Sequence, residues 1–439
     1  MNRRLTSIAM IGMAAGLAVS CGSASKTQGQ ETSASSTAVK AEGANEAAKM
    51  NDAEVGGMDA DYLCLSDAQR TFVEKNNQFA LNFFSKVSGK DSRVVSPLSL
   101  TYLMGMLANG ANGVTREEIL KAVGCDKNFS LSDLNDLCHW MVTHAGKQDP
   151  AVKVNIADYI ALNNRYSLKP DFQKLVAGKY NAGVERLDFT DSSTTGRING
   201  WCKKQTEGMI PQIIDNVDAG AVSYIMNAIY FNGTWKDKFS KGETKLENFK
   251  GYTRNIQRVN MMHRNGKYQY MDNADFSAVE IPYGNGTYSL MVVLPQEGKS
   301  IDDVMKTMDA AKLAAMYRET DECLVDLKLP RFTTELKLDL NDIVSQLGAP
   351  SIFDASRADF SHFCDGKAYV SKMIQKAKIE VSEEGTKAAA VTAATMMMAS
   401  LETHEPRRVN FHADRPFVYM ITHRTTGTIF FIGQFTGGE

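Results

Sequence analysis

The stretch Glu383-Glu384-Gly385-Thr386-Lys387-Ala388-Ala389-Ala390-Val391-Thr392-Ala393-Ala394-Thr395-Met396-Met397-Met398-Ala399-Ser400 carries, after its two glutamates, a single charge, Lys387. Just before it Ala377, Ile379 and Val381 alternate with Lys376, Lys378 and Glu380, the period of a strand with one wet face. From Gly385 the same period continues with small side chains: Thr386, Ala388, Ala390, Thr392 and Ala394 share one face and Lys387 falls on the other. Nothing on the smaller face resists sliding between two strands. A helix is the competing reading, but it would run about twenty residues to Pro406 and is interrupted by Thr, Val and Ser, which are poor helix formers. An uncharged run able to pair as a strand is an aggregation hazard if it dangles, so a fixed job in a sheet is expected.

The chain has 439 residues, 43% hydrophobic, with a formal net charge of -2. That is enough for a sizeable core and leaves no electrostatic footprint for nucleic acid or an anionic membrane. Arg3 and Arg4 precede an apolar stretch, Leu5 to Val19, too short to span a bilayer, which reads as a secretion signal over residues 1–20. Leu17-Ala18-Val19-Ser20-Cys21-Gly22 resembles a bacterial lipobox, with Cys21 as the lipid attachment residue. The competing reading is an ordinary signal peptide with an incidental cysteine. Residues 21–65, rich in Ser, Ala, Gly, Thr and Glu, read as a flexible, lipid-anchored linker. The expected location is therefore outside the cytoplasm, as an outer-membrane lipoprotein facing the periplasm or the cell surface.

Structure is expected to begin at Ser66, which with Gln69 forms a capping box ahead of Phe72, Phe79, Phe83 and Val87 at helical spacing, giving one domain over 66–439. Later stretches alternate helical and strand patterns without a repeat, an α+β arrangement. Gly284-Asn285-Gly286-Thr287 is expected to turn a hairpin between Ala278–Tyr283 and Tyr288–Leu294, and Thr426-Gly427 another between Phe417–Ile421 and Ile429–Ile432. Cysteines 64, 125, 138, 202, 323 and 364 have no zinc-like spacing and read as buried free thiols, although an exported location also permits disulfides. No metal or cofactor is expected. Gly298-Lys299-Ser300 lacks the first glycine of a phosphate loop, and no nucleophile elbow or His-Glu-x-x-His is present.

With these features in place, the 383–400 segment resembles the hinge and reactive-centre loop of the serpins. Val95-Ser96-Pro97-Leu98-Ser99 with Gly110-Ala111-Asn112-Gly113-Val114-Thr115, Asn227-Ala228-Ile229-Tyr230-Phe231-Asn232-Gly233-Thr234-Trp235, Leu329-Pro330-Arg331-Phe332, Leu347-Gly348, Ala358-Asp359-Phe360-Ser361 and Arg415-Pro416-Phe417 follow in that family's order. The resemblance covers roughly residues 66 to 436. It implies a mixed three-sheet core with about nine surrounding helices and an exposed loop.

It also implies a monomeric, non-enzymatic inhibitor of serine-type endopeptidases. The target's nucleophile would attack the loop as a suicide substrate, and the hinge (Glu384, Gly385, Thr386, Lys387, Ala388, Ala389, Ala390, Val391, Thr392) would insert as a strand and trap the acyl-enzyme. The family's register places the reactive bond between Ala399 and Ser400, with Met398 or Met397 as alternatives. A small residue there favours elastase-like or subtilisin-like targets, a methionine chymotrypsin-like ones; a cysteine protease also forms the required acyl intermediate. Arg407-Arg408 lies too far from the hinge for trapping. The buried polar cluster that gates the sheet would be Ser96, Ser99, Asn199 and Asn227, with Gln375 where many members have histidine and Trp235 at the top of the sheet. Two alternatives stand beside inhibition: a noninhibitory serpin-like surface protein cleaved as a plain substrate, and a lipid-anchored module that binds a partner through the Met-rich loop.

Overall fold

The computed structural model describes residues 65–386, apart from 88 and 254, and 406–438. All belong to the unit Asp52–Glu439. The capping box forms as expected: the Ser66 amide donates to Gln69 Oε1 at 2.8 Å and the Gln69 amide to Ser66 Oγ at 3.3 Å, opening the helix Asp67–Val87. Its Phe72, Phe79, Phe83 and Val87 are buried.

A second helix, Pro97–Gly110, is apolar all round and every residue except Asn109 is buried, as that composition requires. Ser96 caps it, and Pro97 sits in the first turn, where its missing N–H costs nothing. Nine α-helices surround the sheets among the described residues.

One sheet has six strands in the order Phe332–Asp339, Lys372–Ser382, Gly385–Thr386, Ser223–Thr234, Val152–Asn163, Gly183–Leu187. The alternation around Ala377, Ile379 and Val381 is realised: those three are buried while Lys376, Lys378 and Glu380 are partly exposed. The second sheet has nine strands. Its 17-residue strand Ile256–Asp272 pairs in turn with Lys245–Lys250, Asp321–Pro330 and Phe276–Pro282. The sheets are thus two hydrogen-bonded networks, the larger one turning along that shared strand.

Both expected hairpins form. Phe276–Pro282 pairs with Tyr288–Pro295, and Gly284 and Gly286 take positive φ (39° and 93°) in the turn. Phe417–His423 pairs with Thr428–Phe435, and both strands are buried throughout. The sheets meet through aromatic rings: Phe231 of the six-stranded sheet lies 5.1 Å from Tyr283, 6.0 Å from Tyr288 and 6.3 Å from Phe431, ring centre to ring centre. Cys138, Cys202, Cys323 and Cys364 are buried free thiols and Cys125 is a partly buried one.

Candidate functional site

The six-stranded sheet has an unusual seam. Strands Lys372–Ser382 and Ser223–Thr234 run parallel and pair directly from Lys372↔Tyr224 to Ala377↔Ile229, and there the direct pairing stops. Above it the hinge occupies the space. Gly385 and Thr386 lie antiparallel to both neighbours, Gly385 opposite Thr234 and Ser382, Thr386 opposite Gly233 and Val381. The seam is closed below and holds the first two residues of the small-residue run above.

Local chemistry explains why these two residues enter. A Cβ on Gly385 would stand 2.0 Å from the Gly233 carbonyl oxygen, and its φ of 144° is strained for any side chain, so glycine alone fits. Thr386 is fully buried, and its Oγ1 lies 2.6 Å from the Tyr283 hydroxyl. Trp235 stacks on Tyr283 at 4.4 Å and its indole N–H donates to the Ser382 carbonyl at 2.8 Å. The backbone amides of Trp235 and Phe239 donate to the carbonyls of Glu384 and Glu383, each at 3.0 Å.

The two glutamates ahead of the hinge are held differently. Glu383 is buried, accepts from Thr244 Oγ1 at 2.8 Å and lies 3.6 Å from Arg331. Glu384 reaches Lys238 at 2.8 Å and Lys241 at 3.4 Å, and the hydrogen bond from Lys238 pulls its carboxyl below the usual glutamate range.

Lower in the seam, Asp158, Asn227 and Gln375 stand in one row across three strands, Asp158 opposite Asn227 and Asn227 opposite Gln375. All three are buried. The Gln375 amide grips the backbone of Ser96 at both ends: its Oε1 accepts from the Ser96 N–H at 3.0 Å and its Nε2 donates to the Ser96 carbonyl at 2.8 Å. Ser96 Oγ donates to the Phe430 carbonyl at 2.7 Å and lies 3.0 Å from Ser99 Oγ. Gln375 therefore ties the seam to the buried helix and, through Ser96, to the second sheet.

Asn227 turns away from this cluster and donates to Asp158 Oδ1 at 2.7 Å. Asn199 corrects the sequence expectation. It lies on the helix Ser193–Gln205, where its Oδ1 accepts from the amides of Ile213 and Ile214 and its Nδ2 donates to the Ile214 carbonyl, all at 2.9–3.1 Å. It fastens the chain leaving its own helix and makes no described contact with Ser96, Ser99, Gln375 or Asn227. Motif order placed it in the cluster, but its side chain is spent on local backbone.

Sequence reasoning missed Asp158 and Tyr283. Asp158 had a signal: it interrupts the inward stripe Val152, Val154, Ile156, Ile160, Leu162 of one strand. Tyr283 had only its place at the end of an apolar hairpin. The hinge positions Lys387, Ala388, Ala389, Ala390, Val391 and Thr392, the reactive-bond candidates Met397, Met398, Ala399 and Ser400, and Cys21 lie outside the described residues. Arg407 and Arg408 are described and built into structure. The Arg407 carbonyl accepts from the Leu324 amide at 2.8 Å, its guanidinium pairs with Asp272 at 2.9 Å, and Arg408 begins the strand Arg408–His412.

Known proteins share this fold. The chain is 30% identical to the human and the horse leukocyte elastase inhibitors, in each case over 377 residues that cover 82% of this chain and 98% of the relative. The native-state structure of tengpin, a thermophilic serpin, superposes with a TM-score of 0.76 at 28% identity, covering 86% of this chain and 96% of that one. Thyroxine-binding globulin matches at the same TM-score with 22% identity, covering 84% and 98%, a likeness of fold alone. The family described as Serpin (serine protease inhibitor) matches residues 74–437, which takes in the whole described sheet and its seam, and the chain belongs to that family.

Proposed function

We propose that this protein inhibits a serine-type endopeptidase as a suicide substrate. The observation that carries the reading is the seating of Gly385 and Thr386 as a two-residue strand at the top of a seam closed only by parallel pairing below it. Cleavage in the following loop would free residues from 387 onward to continue downward. Extending the register of Gly385 and Thr386 brings Thr392 between Asn227 and Gln375, in place of the rung those two now share. The inserted strand would then be antiparallel to both neighbours, carrying the acyl-linked protease with it before water releases it. The protein contributes the trap and the target contributes the chemistry, so no catalytic residue of its own is needed.

The relatives named as elastase inhibitors and the small or methionine side chains at Ala399, Met398 and Met397 support elastase-like, subtilisin-like or chymotrypsin-like targets. The structured setting of Arg407-Arg408 disfavours a trypsin-type site there, because a protease needs an extended, accessible bond. The test is to mix the protein with elastase, subtilisin, chymotrypsin and trypsin, separate the products under denaturing conditions, and weigh the released C-terminal peptide. A complex that survives denaturation supports trapping, and the peptide mass locates the bond. Cleavage by every protease without complex would favour the plain-substrate reading. Export and lipid attachment at Cys21 belong to the same proposal; fatty-acid labelling that persists in Cys21→Ala would refute the attachment.

A further inference from the structure

The row across the seam contains a group whose hydrogen bonding is incomplete. Asp158 and Asn227 face each other on adjacent strands, both buried, and Asn227 Nδ2 donates to Asp158 Oδ1 at 2.7 Å. Their other oxygens, Asp158 Oδ2 and Asn227 Oδ1, are buried with no hydrogen-bond partner among the described residues. Two acceptors stand without a donor. A carboxylate can only accept, whereas a protonated carboxyl also donates, so one proton on Asp158 supplies the donor this pair lacks. Leaving such a pair incomplete inside a sheet costs free energy, and leaving it charged costs more.

We propose that Asp158 is a proton-operated clasp of the central sheet: protonated, it completes the pair with Asn227 and keeps the closed seam favourable; ionised, it puts an uncompensated charge one strand away from the Asn227–Gln375 rung.

The surroundings fit a neutral acid. Burial pushes the Asp158 carboxyl up to about 7, opposed only by the hydrogen bond from Asn227. Three ionisable groups feel its charge, Tyr102 on Pro97–Gly110, Cys138 on Leu131–His144 and Tyr180 on Pro170–Tyr180, and burial drives each of these well above its ordinary value. All three remain uncharged near neutrality, and none can offset a carboxylate. The one strand that separates from this side when the seam opens is Lys372–Ser382, so Asn227 and Asp158 stay together and gain access to water. Opening therefore relieves the ionised pair and not the protonated one. The inference concerns the closed sheet and holds whether or not the chain traps a protease.

The sign follows from proton counting. The unfolded chain releases this proton near the ordinary aspartate range and the folded chain near neutrality, so between those values the folded state holds the extra proton. Stability then falls as pH rises through that window, by up to about tenfold in the folded-to-unfolded ratio per pH unit, and levels off above it.

The test compares the full chain with its Asp158→Asn variant, whose amide supplies a donor at every pH in almost the same volume. Denaturant midpoints at a series of pH values are expected to lie closest together at acid pH, to separate through the acid-to-neutral window as only the wild type loses stability, and to keep that separation above it. Infrared difference spectra should show a buried protonated carboxyl in the wild type at acid pH that fades towards neutrality and is missing from the variant. Curves that differ by a constant offset, or a carboxyl band unchanged by the substitution, would overturn the proposal.

Discussion

Gln375 holds the Ser96 backbone with both ends of its amide, and neither end has another described partner. Truncation strands the buried Ser96 N–H, a loss of about 1–3 kcal/mol, and leaves the Ser96 carbonyl with only the Leu100 amide at 3.2 Å. Gln375→Ala is expected to lower the thermal midpoint and to increase self-association on warming, as followed by size-exclusion chromatography. Asn199→Ala is the control: it frees the 213–214 backbone, so it should lower stability without promoting oligomers. If both variants polymerise alike, the seam has no special role. His423 supplies a second pH effect, opposite in sign to that of Asp158. Burial lowers its imidazole to about 4, so between there and the ordinary histidine range the unfolded chain binds the extra proton and stability falls as pH falls. His423→Gln should therefore flatten the acid limb of the midpoint-versus-pH curve; an unchanged limb would refute a neutral buried imidazole. These residues also show what could be read in advance. Ser96, Ser99 and Gln375 were legible because their motifs flank a proline-started helix and an alternating strand, and the structure joins them. Asn199 was not, because an amide's choice between local backbone and distant partners depends on chain geometry that motif order does not contain.

At the scale of the element, the hinge strand was the most legible part of the fold. Period-2 alternation, the lack of Pro and the fall in side-chain size after Gly385 all point to a strand, and Gly385–Thr386 is one where described. What the sequence could not reveal was what seats these two residues: Gly233, Tyr283 and Trp235, all distant from the hinge in the chain. The fully buried Thr386 makes the consequence testable. Thr386→Arg would force a guanidinium against Tyr283 under the sheet, where it has no partner and where desolvating a charge is costly. The variant is expected to be cleaved in its loop at close to the wild-type rate while forming at least roughly tenfold less denaturation-resistant complex, since about 1.4 kcal/mol on the insertion barrier already shifts the partition with deacylation tenfold. Equal complex yield would mean that insertion does not proceed through this seat.

For the whole molecule, the proposed function requires that the native arrangement not be the most stable one the chain can reach. The sheet itself supplies the reason. Six parallel rungs, Lys372↔Tyr224 through Ala377↔Ile229, close the seam, and inserting the rest of the hinge would exchange them for antiparallel pairing along both flanks. Each inserted residue would satisfy backbone groups on two neighbours at once, and the small side chains on the inward face would bury apolar surface without displacing Phe231 or the aromatic cluster beneath it. The native state would then be protected by the barrier to parting those rungs and the Gln375–Ser96 tie, not by its depth. A limited nick between residues 387 and 405 removes the covalent restraint and should let the strand complete the sheet. Thermal unfolding of the nicked protein is expected to rise by well more than the roughly 2–4 °C that one kcal/mol moves a domain of about 150–250 residues. A nicked chain that melts with the intact one would place the energy of the closed seam below that of the inserted sheet, and the trap would have no driving force.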